Sequence, residues 1–325
     1  KVRGTWVALA QCKTGIGMVY DAKGNYSRAM KYYKAGLFIH REKLRTENVD
    51  VAACLNSIGH IHEKLGEYDK AMDCYDEALK LYQSQVVDGC CSPVDVAVTL
   101  NNIGFIHHLW GEFDCAMQSY LDSVDILESV LGPNHRNVAS ARHNMGLVHA
   151  ERGSYEEALS IYKQVLQNQR ASLGDEHADI AVTLDSISTA YEHMGRLDEA
   201  ANCLEKARMV RQCVFSKNHM YVGTTLTRLG QVYLKNEDFR QAESSFCNAI
   251  VVYKANHLTK DDFRIKQVME FLSQLRHQES ESKLSSHEGV VLDYATNEID
   301  SVSAEEIPNL EDAVKDATME VAQER

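Results

Sequence analysis

The sequence lacks the features that mark membrane-spanning, secreted and nucleic-acid-binding proteins. It has no run of about 18 apolar residues and no signal-peptide layout, so it favours neither a membrane span nor secretion. Acidic residues outnumber basic ones by 47 to 34, whereas a nucleic-acid-binding surface needs a basic excess. We therefore expect neither nucleic acid nor a membrane as a partner.

Motifs for catalysis and cofactor binding are missing as well. The sequence contains no G-x-x-x-x-G-K-[S/T] phosphate loop, no nucleophile elbow, no H-E-x-x-H and no paired C-x-x-C. We therefore expect a protein that is not an enzyme and that has neither a cofactor nor a metal site. Nine cysteines, an odd number without regular spacing, fit a reducing compartment better than a disulfide framework, which favours a cytoplasmic location.

What the sequence does contain is a repeat. One alanine recurs at intervals of 42, 45, 42, 42 and 42 residues, and a fixed period of this size is the signature of a stacked solenoid. In most copies a glycine stands five residues before the alanine, and a second small residue stands seven residues before that glycine. The six alanines are Ala29, Ala71, Ala116, Ala158, Ala200 and Ala242. Six repeats therefore fill most of the chain.

Each position of the repeat has a steric reason. Two antiparallel helices approach closely only where the facing side chains are small, so we expect Gly59 to face Ala71. Tyr75, one helical turn after Ala71, is expected to fill the space beside this pair. Gly66 is predicted to end the first helix in the left-handed conformation, and Tyr68 to start the second helix. Each repeat is therefore predicted to be two helices joined by a turn.

The pattern resembles the tetratricopeptide repeat (TPR), whose usual unit has about 34 residues. Residues 131–139 (LGPNHRNVA) and 173–181 (LGDEHADIA) are similar to the linkers between the longer TPRs of kinesin light chains, although the proline that follows the histidine in that family is absent. The resemblance covers about residues 5–256. It implies an all-α fold, a right-handed α-solenoid of six antiparallel helix pairs that is also called a TPR superhelix.

Three segments are predicted along the chain. Residues 1–256 hold the six TPR-like repeats. Residues 257–278 are expected to form a C-terminal capping helix, because apolar residues between Phe263 and Leu275 recur on one helical face. Residues 279–325 hold 13 acidic and 3 basic residues, and this composition predicts a disordered acidic tail.

The helix starts and the histidines are interpreted from their place in the repeat. The predicted N-caps share one repeat position and are Asp50, Asp95, Asn137 and Asp179. The linker histidines His135, His177 and His219 recur with the scaffold, which favours a structural role. Another set, His62, His107 and His149, stands where other repeats have tyrosine, so we expect half-buried aromatic substitutes in preference to zinc ligands.

A protein or peptide partner is expected on the concave face of the solenoid, which the first helices of the repeats would line. The candidate peptide-binding residues are Asn56, Asn101, Asn102, Phe105, His143, Asn144, Leu147 and Asp185. An asparagine amide offers a donor and an acceptor, so Asn102 and Asn144 are expected to clamp the backbone of an extended peptide. Phe105 and Leu147 would supply apolar pockets. An equally open alternative is that these asparagines only join neighbouring helices.

Two functions fit this sequence. The first is a protein–protein interaction scaffold or adaptor, and the alternative is a kinesin-light-chain-like, cargo-binding subunit of a microtubule motor. The chain starts at Lys1 and not at methionine, so we expect a further N-terminal portion, where coiled-coil heptads would favour the motor function.

We expect that one class of ligand does not bind. Chaperone-binding TPRs hold a C-terminal carboxylate with lysine or arginine on their first helices, and neither lysine nor arginine stands at the corresponding positions here. Those positions hold Thr14/Met18, Asn56/His60, Asn101/Phe105, His143/Leu147, Asp185/Thr189 and Thr227/Gln231. We therefore do not expect a chaperone C-terminal tail as a partner.

Overall fold

The structure is a computed structural model that describes residues 2–46, 48–87 and 89–285, and within them it contains helices and no strand. The helices are α1 (Val2–Ala22), α2 (Tyr26–Phe38), α3 (Val49–Lys64), α4 (Tyr68–Val87), α5 (Pro93–Leu109), α6 (Phe113–Leu131), α7 (Arg136–Glu151), α8 (Tyr155–Leu173), α9 (Ala178–His193), α10 (Leu197–Val214), α11 (Met220–Lys235), α12 (Phe239–Ala255) and α13 (Phe263–Ser285). A π-helical turn over Ile39–Leu44 extends α2. The described residues up to Leu275 form one compact unit, and a second unit begins at Arg276.

The first unit is a stack of helix pairs. Each odd-numbered helix from α1 to α11 packs against the helix that follows it, and these six pairs are repeats 1 to 6. The second helix of each of repeats 1 to 5 also contacts the first helix of the next repeat, so a continuous core runs along the stack. The predicted all-α solenoid of six helix pairs is confirmed.

An aromatic ring lies directly on a glycine in most repeats. A Cβ atom added to Gly59 would lie 2.7 Å from the ring of Tyr75, and one added to Gly146 would lie 2.4 Å from the ring of Tyr162. Both distances are shorter than van der Waals contact, so only glycine fits beneath the ring. Repeat 5 uses a different pair, because Ser188 occupies the glycine position and the smaller Leu204 replaces the aromatic residue.

The turns inside the repeats follow the prediction. Gly66 has a φ of 74°, in the left-handed region that glycine adopts without strain, and Tyr68 begins α4. In repeat 6 a non-glycine residue, Glu237, adopts the same conformation with a φ of 59°. The glycine therefore ends the first helix by its backbone freedom, and repeat 6 tolerates a strained substitute at that position.

The predicted N-caps are wrong. Asp50, Asp95, Asn137 and Asp179 each lie inside the first turn of a helix, two or three residues after the residue that caps it. The caps of α3 and α5 are Asn48 and Ser92. An acidic residue in the first turn still interacts favourably with the positive end of the helix dipole, which accounts for its recurrence at this repeat position.

The linker histidines are the caps of three other helices. Nδ1 of His135 accepts a hydrogen bond from the backbone N–H of Asn137 at 3.2 Å. His177 and His219 accept in the same way, each at 3.2 Å, from the residue two positions later. The expected structural role of these histidines is confirmed, and its cause is the capping of α7, α9 and α11.

Helix α13 follows the last repeat. Its residues Ile265, Val268, Leu272 and Leu275 are buried in one cluster with Phe246 and other residues of repeat 6. The helix continues to Ser285, beyond residue 278, at which the capping helix was predicted to end. Residues 286–325 of that tail lie outside the described residues, and the predicted segment boundaries stay predictions. Among the described helices, none is both long and apolar enough to cross a membrane.

Candidate functional site

The first helices of neighbouring repeats line the inner side of the stack. Helix α3 contacts α5, α5 contacts α7, and α7 contacts α9, whereas the second helices of the described repeats do not approach one another as closely. Neighbouring elements are closer together on the inner side of a curved stack than on its outer side. The odd-numbered helices therefore form the concave face of repeats 2 to 5, and this is where the candidate peptide-binding residues lie.

Amide pairs join these first helices. Nδ2 of Asn102 on α5 donates to Oδ1 of Asn56 on α3 at 3.3 Å, and Nδ2 of Asn144 on α7 donates to Oδ1 of Asn101 at 3.1 Å. All four side chains are half-buried. One such bond uses one N–H and one lone pair, while an amide has two of each. The asparagines therefore hold neighbouring repeats together and keep hydrogen-bonding capacity for a ligand.

The two apolar candidates have different surroundings. Phe105 is half-buried on α5, beside the amide pairs. Leu147 is also half-buried, but it packs against the core cluster that contains Tyr162 and Ala190. Part of the Leu147 surface is therefore already used by the core.

His143 lies where repeats 4 and 5 meet. Its Nε2 atom is 3.4 Å from Oγ of Ser186 on α9, and its ring centroid is 5.2 Å from that of Tyr162. Burial lowers the pKa of His143, and the negative charge of Asp179 opposes this effect. The neutral ring is therefore favoured at this position, where it suits a hydrogen bond better than binding of an anion.

Asp185 lies in an ion-pair network of the protein's own side chains. The guanidinium of Arg211, on α10, binds both carboxylate oxygens of Asp185, and Nη1 of Arg228 lies 3.5 Å from one of them. Arg228 also donates to Oγ1 of Thr189 at 2.8 Å. The charge of Asp185 is therefore neutralised within the chain, and this candidate residue has little left to offer to a ligand.

One recess opens beside an amide pair, and another opens beside His143. The first has a volume of about 480 Å³, and its lining includes Asn56, Asn102, Met18 and His60. The second has a volume of about 290 Å³ and includes His143. The structure thus brings Asn56 and Asn102 to one recess and His143 to another. Met18 and His60 were not among the predicted site residues, although they share with Phe105 the position directly after the first glycine of the repeat.

Comparisons with known proteins agree with this architecture. The model of the tetratricopeptide repeat family matches residues 7–84, 95–171, 139–212 and 179–255. No curated protein sequence matches the chain.

Solved structures share the fold at low sequence identity. BtubC (BKLC) from P. vanneervenii is 20% identical with a TM-score of 0.60, over 74% of this chain and 92% of that one. The TPR-like repeats of a putative kinesin light chain from Podospora anserina are 17% identical with a TM-score of 0.51, over 64% and 96% of the two chains. The signal-transduction ATPase PH0952 from Pyrococcus horikoshii, which has a tetratricopeptide repeat sensor, is 14% identical with a TM-score of 0.66, over 83% and 39%.

Proposed function

The chain belongs to the tetratricopeptide repeat family, and from this premise we propose that it is a protein-interaction scaffold. Its ligand is an extended segment of a partner protein that binds along the first helices of repeats 2 to 5. The proposal assigns the chain a binding role without catalysis. It places the protein in the cytoplasm, where nine cysteines without a disulfide spacing would stay reduced.

The observation that carries this proposal is the row of half-buried amides across α3, α5 and α7. An extended peptide exposes backbone N–H and C=O groups that need partners when they leave water. Asn102 and Asn144 each use one N–H in a bond to the neighbouring helix. Their second N–H and their carbonyl lone pairs can bind a peptide backbone, whatever its side chains are. The recess beside Asn102 and the half-buried ring of Phe105 would then receive ligand side chains.

The charge of the concave face supports a neutral ligand. The two arginines nearest to this face in repeats 5 and 6, Arg211 and Arg228, are engaged by Asp185 and by threonine hydroxyls. Burial of a carboxylate without a fixed cation costs free energy that no residue at the chaperone-binding positions repays. We therefore propose that C-terminal peptides of heat-shock chaperones bind no better than their scrambled sequences, and a titration that measures sequence-dependent binding would refute this.

Peptides selected from a random phage-displayed library on the wild-type protein test the proposal. We expect the selected peptides to lose at least about tenfold in affinity for the double variant Asn102→Ala/Asn144→Ala, which corresponds to about 1.4 kcal/mol. Asn168→Ala is the matched control, because Asn168 on α8 also donates one bond, to the carbonyl of Pro133 at 3.2 Å, but lies on a second helix. If both variants bind equally well, the amides are structural and the site lies elsewhere.

A motor-linked scaffold is the second candidate. The 42-residue period and the linker histidines resemble those of kinesin light chains, and the Podospora anserina structure that shares the fold carries that name. In this case the concave face would bind cargo. The transcript sequence upstream of residue 1 separates the candidates, since heptads there favour the motor subunit and a globular regulatory domain favours the adaptor.

A further inference from the structure

Three potential metal ligands of different chemistry meet at the turn between α5 and α6. His107 lies in the last turn of α5, Glu112 precedes α6, and Cys115 lies in the first turn of α6. The imidazole, carboxylate and thiol ligand atoms all lie within 4.8 Å of one another, and Nδ1 of His107 is 2.6 Å from Oε2 of Glu112. Glu112 and Cys115 are exposed, so an ion from solvent can reach them.

We propose that His107, Glu112 and Cys115 bind one divalent transition-metal ion of the zinc type. Zinc takes nitrogen, oxygen and sulfur ligands in a tetrahedral arrangement, and three protein ligands leave the fourth position for water. Bonds of this kind place ligand atoms about 3.4 Å apart. The ligand atoms of His107, Glu112 and Cys115 lie within 4.8 Å of one another, which is close to the spacing that this geometry requires.

The charges and protons of this site balance. The Cys115 thiol releases its proton to solvent when it binds, and the single proton of the neutral His107 ring, which Nδ1 holds while it donates to Glu112, moves to Nε2 by exchange with water so that Nδ1 can bind the ion. The thiolate and the Glu112 carboxylate then supply two negative charges to a divalent cation. The bound site is electrically neutral, as suits an exposed turn between two helices.

Repeat 2 shows what the same turn holds without the cysteine. His62 and Glu67 occupy the positions of His107 and Glu112 and are hydrogen-bonded in the same way, and Lys70 replaces Cys115. The ammonium of Lys70 lies 3.1 Å from Glu67, and its hydrogen bond, followed by that of His62, lowers the pKa of Glu67. A cation therefore already stands beside the carboxylate in repeat 2. In repeat 3 a thiol takes the place of this cation.

The complete set of ligands occurs in repeat 3 alone. Repeat 4 keeps His149 but has Ser154 and Glu157 at the other two positions, and repeats 1, 5 and 6 have tyrosine in place of the histidine. The sequence-based expectation of no metal rested on the absence of H-E-x-x-H and paired C-x-x-C motifs. The proposal departs from that expectation at this one turn, where ligands five and three residues apart converge.

Cobalt(II) is the probe for this site, because it takes the zinc geometry and absorbs light when it binds thiolate. Titration of the reduced full chain should give a saturable sulfur-to-cobalt absorption band at one equivalent, which zinc abolishes. The same ion should quench Trp110, whose ring centroid lies 5.9 Å from that of His107 and which is one of only two tryptophans. Cys115→Ser should remove the band and weaken the quenching by roughly tenfold or more in cobalt concentration.

A variant that creates a second metal site complements Cys115→Ser, which removes the first. Lys70→Cys completes the ligand set of repeat 2, so this variant should bind two equivalents of cobalt with twice the absorption. Circular dichroism should be unchanged for both variants, because the substituted side chains are exposed. The proposal is overturned if Cys115→Ser keeps the wild-type band, since another of the nine cysteines then binds the ion, or if the wild-type protein shows no saturable step.

Discussion

Repeats 2 to 4 and repeats 5 and 6 join their first helices by different chemistry. In the first region neutral amides bridge α3, α5 and α7, and each amide keeps unused donors and acceptors. In the second region Arg228 on α11 pairs with Asp185 and donates to Thr189, both on α9, and Arg211 on the second helix α10 also binds Asp185. The same scaffold thus presents one stretch that can still bind a ligand and one in which the strongest polar groups are already satisfied.

The packing between the two helices of a repeat differs between repeats 4 and 5, although repeat 6 again places an aromatic ring on a glycine. Repeat 4 places the ring of Tyr162 on Gly146, whereas repeat 5 combines Ser188 with Leu204. Oγ of Ser188 donates to the backbone carbonyl of Ala200 at 3.0 Å, so the larger residue at the glycine position is compensated by a smaller partner and a hydrogen bond. The two positions therefore act as a pair, and neither can be exchanged alone without cost.

The largest effect is expected from breaking the charged link. Asp185→Ala leaves the guanidinium of Arg211, whose side chain is only 11% exposed, without its carboxylate. Loss of one partner from a fully buried pair costs about 3 to 5 kcal/mol, and the partial exposure of Asp185 lowers our expectation to about 2 kcal/mol. Asn101→Ala, which removes a neutral bond, should cost about 1 kcal/mol. Denaturant unfolding of both variants checks the order, and equal losses would contradict the distinction between the two regions.

Replacing the glycine–tyrosine pair of repeat 4 by the serine–leucine pair of repeat 5 is expected to have an intermediate effect on stability. Gly146→Ser should destabilise repeat 4 by about 1 to 3 kcal/mol, because its Cβ would lie against the Tyr162 ring. The double variant Gly146→Ser/Tyr162→Leu copies repeat 5 and should lose less than the sum of the two single variants. Thermal melting of the three variants measures this coupling. Strict additivity would show that the two positions do not act as a pair.

The smallest expected effect is a pH dependence of the stability that comes from His143 on α7, one of the helices joined by amides. Burial lowers the pKa of His143 in the folded protein, so the unfolded chain takes up the proton first as the pH falls below the ordinary histidine value of 6.5. His143 therefore has no effect on stability well above this pH and reduces stability below it. His143→Gln should show a smaller drop in melting temperature than the wild type between about pH 7.5 and 5.5. Equal drops would mean that His143 is not the responsible group.

The period of the sequence determined which parts of the fold could be predicted. Gly66 and Tyr68 locate a turn and a helix start because backbone freedom and side-chain size act locally. The capping role of His135 could not be predicted, because it depends on how the linker places the ring against the next helix. Helix caps chosen by residue type alone therefore fell inside the helices.

The sequence predicted on which face of the solenoid the candidate residues lie, but it did not predict which side chains contact one another. The repeat places Asn56, Asn101, Asn102 and Asn144 on the first helices, where the structure joins them in pairs, and their role in peptide binding stays a prediction. Which amide meets which depends on the rotation between successive repeats, and no local pattern encodes that rotation. The pairing of Asp185 with Arg211 was missed for the same reason, because the arginine comes from a second helix.

Site-specific photo-crosslinking tests the central claim that the first helices of repeats 2 to 5 form the ligand-binding face. A photoreactive phenylalanine analogue would replace Phe105 on α5 and, as a control, Leu121, which is 40% exposed on the second helix α6. Each protein would be irradiated with a library-selected peptide. We expect crosslinks from position 105 that excess unlabelled peptide suppresses, and background labelling from position 121. Suppressible crosslinks from position 121 with none from position 105 would contradict the claim.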